Sequence, residues 1–116
     1  MSNTLQVIDN HLRSFAKGDL DGLMGDYTAD SVLFTMDGAL KGDAAIRRFM
    51  TGLFREFARP GARFDLRFQD VQGEAAYIVW SAETAENHYE FATDTFVVRG
   101  GRIVYQSFAG RIKPRG

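Results

Sequence analysis

The sequence predicts an α+β protein. Three helices in the first half pack on the concave face of a curved, mainly antiparallel sheet of six strands, all within one domain spanning residues 1–116. Three observations predict it. Apolar residues recur at helical spacing in three stretches before residue 60. From residue 64 onward the pattern is strand throughout, and runs of helices followed by runs of strands make α+β architectures. Between the second and third helices the period changes over residues 31 to 41, giving a small hairpin.

The first helix covers residues 4 to 17, TLQVIDNHLRSFAK, with Leu5, Ile8, Leu12 and Phe15 on one face and His11 beside them. Asn3 or Thr4 can cap its start, and Gly18 ends it. Asp19 caps a short second helix, LDGLMGDY, that buries Leu20, Leu23, Met24 and Tyr27. Val32 to Met36 read as a strand, and Asp37-Gly38 is a strong hairpin turn that returns the chain over Ala39 to Lys41. Gly42-Asp43 opens the third helix. Its apolar stripe is Ile46, Phe49, Met50, Leu53, Phe54 and Phe57, with Arg47, Arg48, Arg55 and Glu56 opposite, and Pro60-Gly61 stops it. Phe49, Leu53 and Phe57 are expected to seat this helix on the sheet.

In the third strand Phe64, Leu66 and Phe68 alternate with Asp65, Arg67 and Gln69. Residues 75 to 84 form the fourth strand. His88 to Ile112 form a long hairpin around Gly100-Gly101. The last three strands are apolar on both sides, as in Tyr77 to Trp80 and Phe96 to Val98. A sheet with one solvated face shows cleaner alternation. The outer face is therefore expected to be covered by a second copy of the chain, making a homodimer.

Composition narrows the function. Apolar residues at 45% and charged residues at 25% are ordinary for a water-soluble globular chain, and the cytoplasm is the expected location. A net charge of −1 without blocks of like charge argues against nucleic-acid and membrane-surface partners. With no cysteine and two separated histidines, neither a thiolate site, a metal site nor a cofactor is expected.

One residue breaks the pattern of the long hairpin. Asp94 lies between Thr93 and Thr95 inside an otherwise apolar strand, and local inconsistencies of this kind mark functional sites. Its register depends on the turn. A two-residue turn sets Arg99 against Arg102; a three-residue turn avoids those opposed cations and sets Asp94 opposite Gln106. The three-residue form is expected, with Asp94, Phe96, Gln106 and Phe108 on the concave face. Glu83 and Glu90 are expected to be rim charges, and His88 to be solvated at a turn.

The stretches Gly18 to Phe34, Lys41 to Phe49 and Thr93 to Ala109 carry a resemblance. Over nearly its whole length the chain resembles the nuclear transport factor 2-like superfamily, in its SnoaL-like and ketosteroid-isomerase-like branch. The resemblance implies a cone-shaped domain enclosing an apolar pocket, usually as a dimer. Carried over by position, the oxyanion Asp of the ketosteroid isomerases falls on Asp94, the oxyanion Tyr on His11 and the base Asp on Thr35. This implies acid–base chemistry by Asp94 and His11 on a small apolar carbonyl compound, as in an isomerase, cyclase or dehydratase. The pocket lining would be Phe15, Thr35, Met50, Phe54, Trp80, Phe96, Gln106 and Phe108. The alternative is a non-catalytic ligand-binding or dimerisation module with a vestigial pocket.

Overall fold

The computed structural model describes residues 3–115. The elements are α1 (Asn3–Lys17), α2 (Leu20–Met24), β1 (Tyr27–Thr35), β2 (Gly38–Lys41), α3 (Asp43–Ala58), β3 (Arg63–Gln72), β4 (Ala75–Glu83), β5 (Asn87–Arg99) and β6 (Arg102–Pro114). The six strands form one sheet in the order β2-β1-β6-β5-β4-β3. All neighbours are antiparallel except β1 and β6, which run parallel. The sheet is curved and open, with the helices on its concave face. Among the described residues no helix is long and apolar enough to cross a membrane.

The core lies between sheet and helices. Ile8, Leu23, Leu33, Ile46, Phe96 and Ile103 are its largest fully buried apolar side chains. On α1 the buried set is Thr4, Val7, Ile8, His11 and Ser14, while Leu5 is exposed. The helix is thus rotated from the stripe expected of Leu5, Ile8, Leu12 and Phe15. Thr4 shows why: it does not cap the helix but turns inward, and its hydroxyl donates to the Gly73 carbonyl at 2.8 Å. Gly18 ends α1 at φ +71°, and Asp19 caps α2 by accepting from Gly22 N at 2.9 Å.

Two boundaries differ from the sequence reading. Helix α2 stops at Met24, so Tyr27 belongs to β1. The Asp26 carbonyl accepts from Ile103 N at 2.7 Å, which draws this segment into the sheet beside β6. The turn between β1 and β2 is Met36-Asp37, since Thr35 pairs with Gly38. The Thr35 hydroxyl holds that turn, accepting from Asp37 N and donating to Gly38 O.

Registers in the long strands depend on bulges. In β3 a bulge at Arg67 puts Phe68 opposite Val79 while Leu66 stays opposite Trp80. Phe68 therefore leaves the face of Phe64 and packs its ring 6.2 Å from Tyr77 on the outer side. In the last hairpin Arg99 does pair with Arg102, so the turn is the two-residue Gly100-Gly101, both at positive φ. The expected three-residue turn is not formed. Arg99 escapes its opposed cation by pairing with Glu74 at 3.1 Å. Val98 then pairs with Ile103 and Val97 with Tyr105, which leaves Val104 as an extra residue in β6. Asp94 consequently lies opposite Phe108, and Gln106 opposite Phe96. The single bulge restores the inward facing of all four residues that the expected register had given them.

Candidate functional site

Strand alternation directs Ile78 and Trp80 of β4, Asp94 of β5, and Gln106 and Phe108 of β6 to the concave side, where α1 and α3 cover them. Together with His11, Leu12, Phe15, Leu33, Phe49, Met50, Leu53 and Phe64 they line a cavity of about 40 Å³. Its lining is apolar except for His11, Asp94 and Gln106.

Asp94 is 7% exposed. Its Oδ1 accepts from the Trp80 indole Nε1 at 2.8 Å, and its Oδ2 accepts from Gln106 Nε2 at 2.8 Å. The amide oxygen of Gln106 accepts in turn from the buried hydroxyl of Tyr27. A chain of four side chains from β1, β6, β5 and β4 thus fixes the carboxylate. Burial pushes the Asp94 carboxyl up to about 6, against the opposing effect of the Trp80 and Gln106 donors. Burial likewise raises the Tyr27 phenol, with the charges of Asp94 and Asp26 adding to it.

His11 lies on the buried face of α1. Its ring stands edge-on to Phe96, with centroids 5.1 Å apart. Burial lowers its pKa to about 4, so it is a neutral imidazole at pH 7. Its Nδ1 is buried and finds no hydrogen-bond partner among the described residues. An orphaned polar atom on a cavity wall is available to a ligand.

Of the residues singled out in the sequence, the cavity brings together His11, Phe15, Met50, Trp80, Asp94, Gln106 and Phe108. Thr35 is held in the β1–β2 turn, and Leu33 occupies the cavity wall on that strand. Phe96 is wholly buried behind the cavity against His11. Phe54 lines a separate groove, of about 230 Å³, between the ends of α1 and α3. Glu83 and Glu90 form surface ion pairs with Arg63, Arg115, Arg111 and Lys113, and His88 lies beside Glu83.

Two contributors were missed. Tyr27 was assigned to a helix, although its aromatic ring after Gly25-Asp26 fits a strand start. Glu56 was placed on the polar side of α3, yet it lies three residues after Leu53 and seven after Phe49. Its carboxylate accepts from Thr84 Oγ1 at 2.6 Å, Asn87 Nδ2 at 3.0 Å and the Tyr89 hydroxyl at 2.8 Å. These bonds pin α3 to the β4–β5 connection, beside the Trp80 ring that packs on Tyr89.

The model of the SnoaL-like domain matches residues 8–106. Compared with curated proteins, the chain finds no match. Among solved structures it is similar to a candidate polyketide cyclase from Sinorhizobium meliloti, at 16% identity and TM-score 0.74, over 89% of this chain and 93% of that one. It is similar to TerC co-crystallised with polyporic acid, at 15% identity and TM-score 0.75, over 95% and 92%. A candidate ketosteroid isomerase from Kribbella flavida aligns at 11% identity and TM-score 0.77, over 98% and 82%. At such identities the likeness is one of fold.

Proposed function

We propose, for a chain that belongs to the SnoaL-like domain family, that it binds a small, uncharged, mainly apolar carbonyl compound and moves a proton on it. The observation that carries this reading is Asp94. It is a buried carboxyl on an apolar cavity wall, held by two N–H donors and titrating near neutrality. A group whose pKa lies close to working pH both takes and returns a proton efficiently.

The Asp94 carboxylate would take a proton from the carbon next to the substrate carbonyl. The electron pair of that C–H bond passes to the carbonyl oxygen as an enolate. An N–H of neutral His11 would donate to that oxygen as its charge develops. Return of the proton from Asp94 to another carbon completes an isomerisation without net proton change. Trp80 and Gln106 keep the carboxylate in place throughout, because each donates an N–H to one of its two oxygens. The likeness in fold to a candidate cyclase and a candidate isomerase supports the reading.

The test is hydrogen–deuterium exchange next to the carbonyl of 2-tetralone, a neutral bicyclic ketone, followed by NMR in D₂O. Wild type should accelerate exchange, with a rate that rises as pH passes through about 6. Asp94→Asn should return the rate to that of buffer. Equal rates for the two proteins would sink the proposal. Thr35 lies outside the cavity and, among the described residues, Asp94 is the one carboxylate lining it, which favours a second reading, a binding module without turnover. That reading requires saturable binding with no exchange.

The outer sheet face bears exposed Phe34, Phe68, Tyr77, Phe91 and Tyr105. We infer that a second copy of the chain covers it. Exposed apolar patches of this extent mark interaction surfaces, and specific interfaces bury on the order of 1,200–2,000 Å² in total.

A further inference from the structure

The cavity beside Asp94 is smaller than any carbonyl compound it could act on. Its volume of about 40 Å³ holds only a few water molecules, whereas small-molecule sites are typically about 300–1,000 Å³. A second space lies nearby. The groove of about 230 Å³ between the last turns of α1 and α3 is lined by Phe15, Ala16, Lys17, Gly18, Phe54, Phe57 and Ala58. Phe15 is the residue the two spaces share.

Phe15 is half-buried and sits three residues before Gly18, where α1 ends. Its ring meets Phe54 and Phe57 edge-on, both at 5.0 Å between centroids. Long and aromatic side chains on a helix populate two χ1 rotamers without disturbing the backbone. A change of rotamer at Phe15 would therefore join groove and cavity while both helices stay in place.

We propose that the groove is the entrance and outer half of the ligand site, with Phe15 as the gate that separates it from the Asp94 chamber and sets which ligands pass. This rests on reading the cavity as a small-molecule site. The chemistry of the two halves defines the ligand class. The inner chamber offers His11 and Asp94 and no cation, so it takes an uncharged carbonyl or hydroxyl end. The outer groove offers three phenyl rings and two methyl groups, so it takes a flat ring system. The ligand is a fused-ring ketone or phenol whose long axis runs past Phe15, with any charged substituent left outside near Lys17.

Trp80 is the single tryptophan and lines the inner chamber, so its emission reports arrival there. Two measurements test the gate. Acrylamide should quench Trp80 several-fold more effectively in Phe15→Ala and Phe15→Leu than in wild type. The neutral probe 2-naphthol should quench wild-type emission saturably, and Ala16→Phe and Ala58→Phe, which keep Trp80 as the single tryptophan, should each weaken that binding at least tenfold. Both alanines are exposed and neither lines the inner chamber, so these variants block the groove without disturbing the core. Acrylamide quenching unchanged by both Phe15 variants, or 2-naphthol affinity unchanged by both groove variants, overturns the proposal. Neither readout involves exchange of 2-tetralone, so the entrance can fail while the chemistry at Asp94 stands, and the reverse.

Discussion

The indole N–H of Trp80 donates to Asp94 Oδ1 at 2.8 Å, which couples the only natural fluorophore of its kind in the chain to its most perturbed carboxyl. Protonating Asp94 changes the charge at the end of that bond. Trp80 emission should therefore titrate with a midpoint near pH 6. Asp94→Asn should remove the titration. A flat wild-type profile between pH 5 and 7 would place the Asp94 pKa elsewhere.

Asp94 and His11 oppose each other in the pH dependence of stability. The Asp94 pKa is raised from 3.8 to about 6, so the folded protein holds that proton more tightly than the unfolded chain. Its contribution falls as pH rises across that window. The His11 pKa is lowered from 6.5 to about 4, so the unfolded chain holds that proton more tightly. Its contribution falls as pH drops across nearly the same window. Each is on the order of 3 kcal/mol, and in wild type they largely cancel. Urea titrations at pH 4 and pH 7 should unmask them. On going from pH 7 to pH 4, Asp94→Asn should lose stability relative to wild type and His11→Gln should gain it.

Tyr27 sets the orientation of the Gln106 amide. Because its hydroxyl donates to the amide oxygen, the Gln106 amine faces Asp94. In Tyr27→Phe the buried oxygen loses its partner, at a cost of about 1–3 kcal/mol. The amide is then free to turn its oxygen toward the carboxylate. The midpoint of the Trp80 titration should move upward in this variant. A fall in stability with no movement of the midpoint would make Tyr27 a packing residue only.

Glu56 ties α3 to the β4–β5 connection through Thr84, Asn87 and Tyr89. Glu56→Ala strands three donors in a partly buried site, and hydrogen bonds to a charged group contribute about 1.5–3 kcal/mol. A loss of about 2 kcal/mol is expected, with amide exchange accelerated first between Thr84 and Tyr89. A change under 0.5 kcal/mol would mean that water replaces the carboxylate without penalty.

If a second copy covers the outer sheet face, sedimentation at micromolar concentration should show a dimer. Phe91→Asp should convert it to a monomer with the Trp80 environment intact, since Phe91 and Trp80 lie on opposite faces. A wild-type monomer under those conditions removes the inference.

The order of elements was legible because it rests on period and on glycine. The α3 stripe, the break at Gly18 and the outward–inward alternation of β4 follow from residue spacing. Gln106 does face the concave side with Asp94, but through the bulge at Val104 and not through the three-residue turn from which that facing was expected. The register was not legible, because the energy that decides it lies in another turn of the chain, the one between β3 and β4. Glu74 neutralises Arg99, and no rule of local pairing contains that residue. Likewise nothing local to Tyr27 announces Gln106, which is 79 residues away. Thr35 was placed in the pocket by position along a family pattern, but its hydroxyl serves the turn it borders. Phe68 crossed to the outer face because one bulge at Arg67 shifted the phase of β3.

Val104, the extra residue of β6, has a consequence for how this hairpin can change length. Deletion of Val104 alone would straighten β6 and keep Gln106 opposite Phe96 and Phe108 opposite Asp94, whereas a one-residue slip of β6 beyond the bulge would present Ser107 and Ala109 to the cavity and turn Gln106 and Phe108 to the outside. Asp94 would lose a donor and Trp80 a ring stacked on its face. Natural or engineered chains that keep the chamber should therefore change length at Val104 and not between Tyr105 and Phe108.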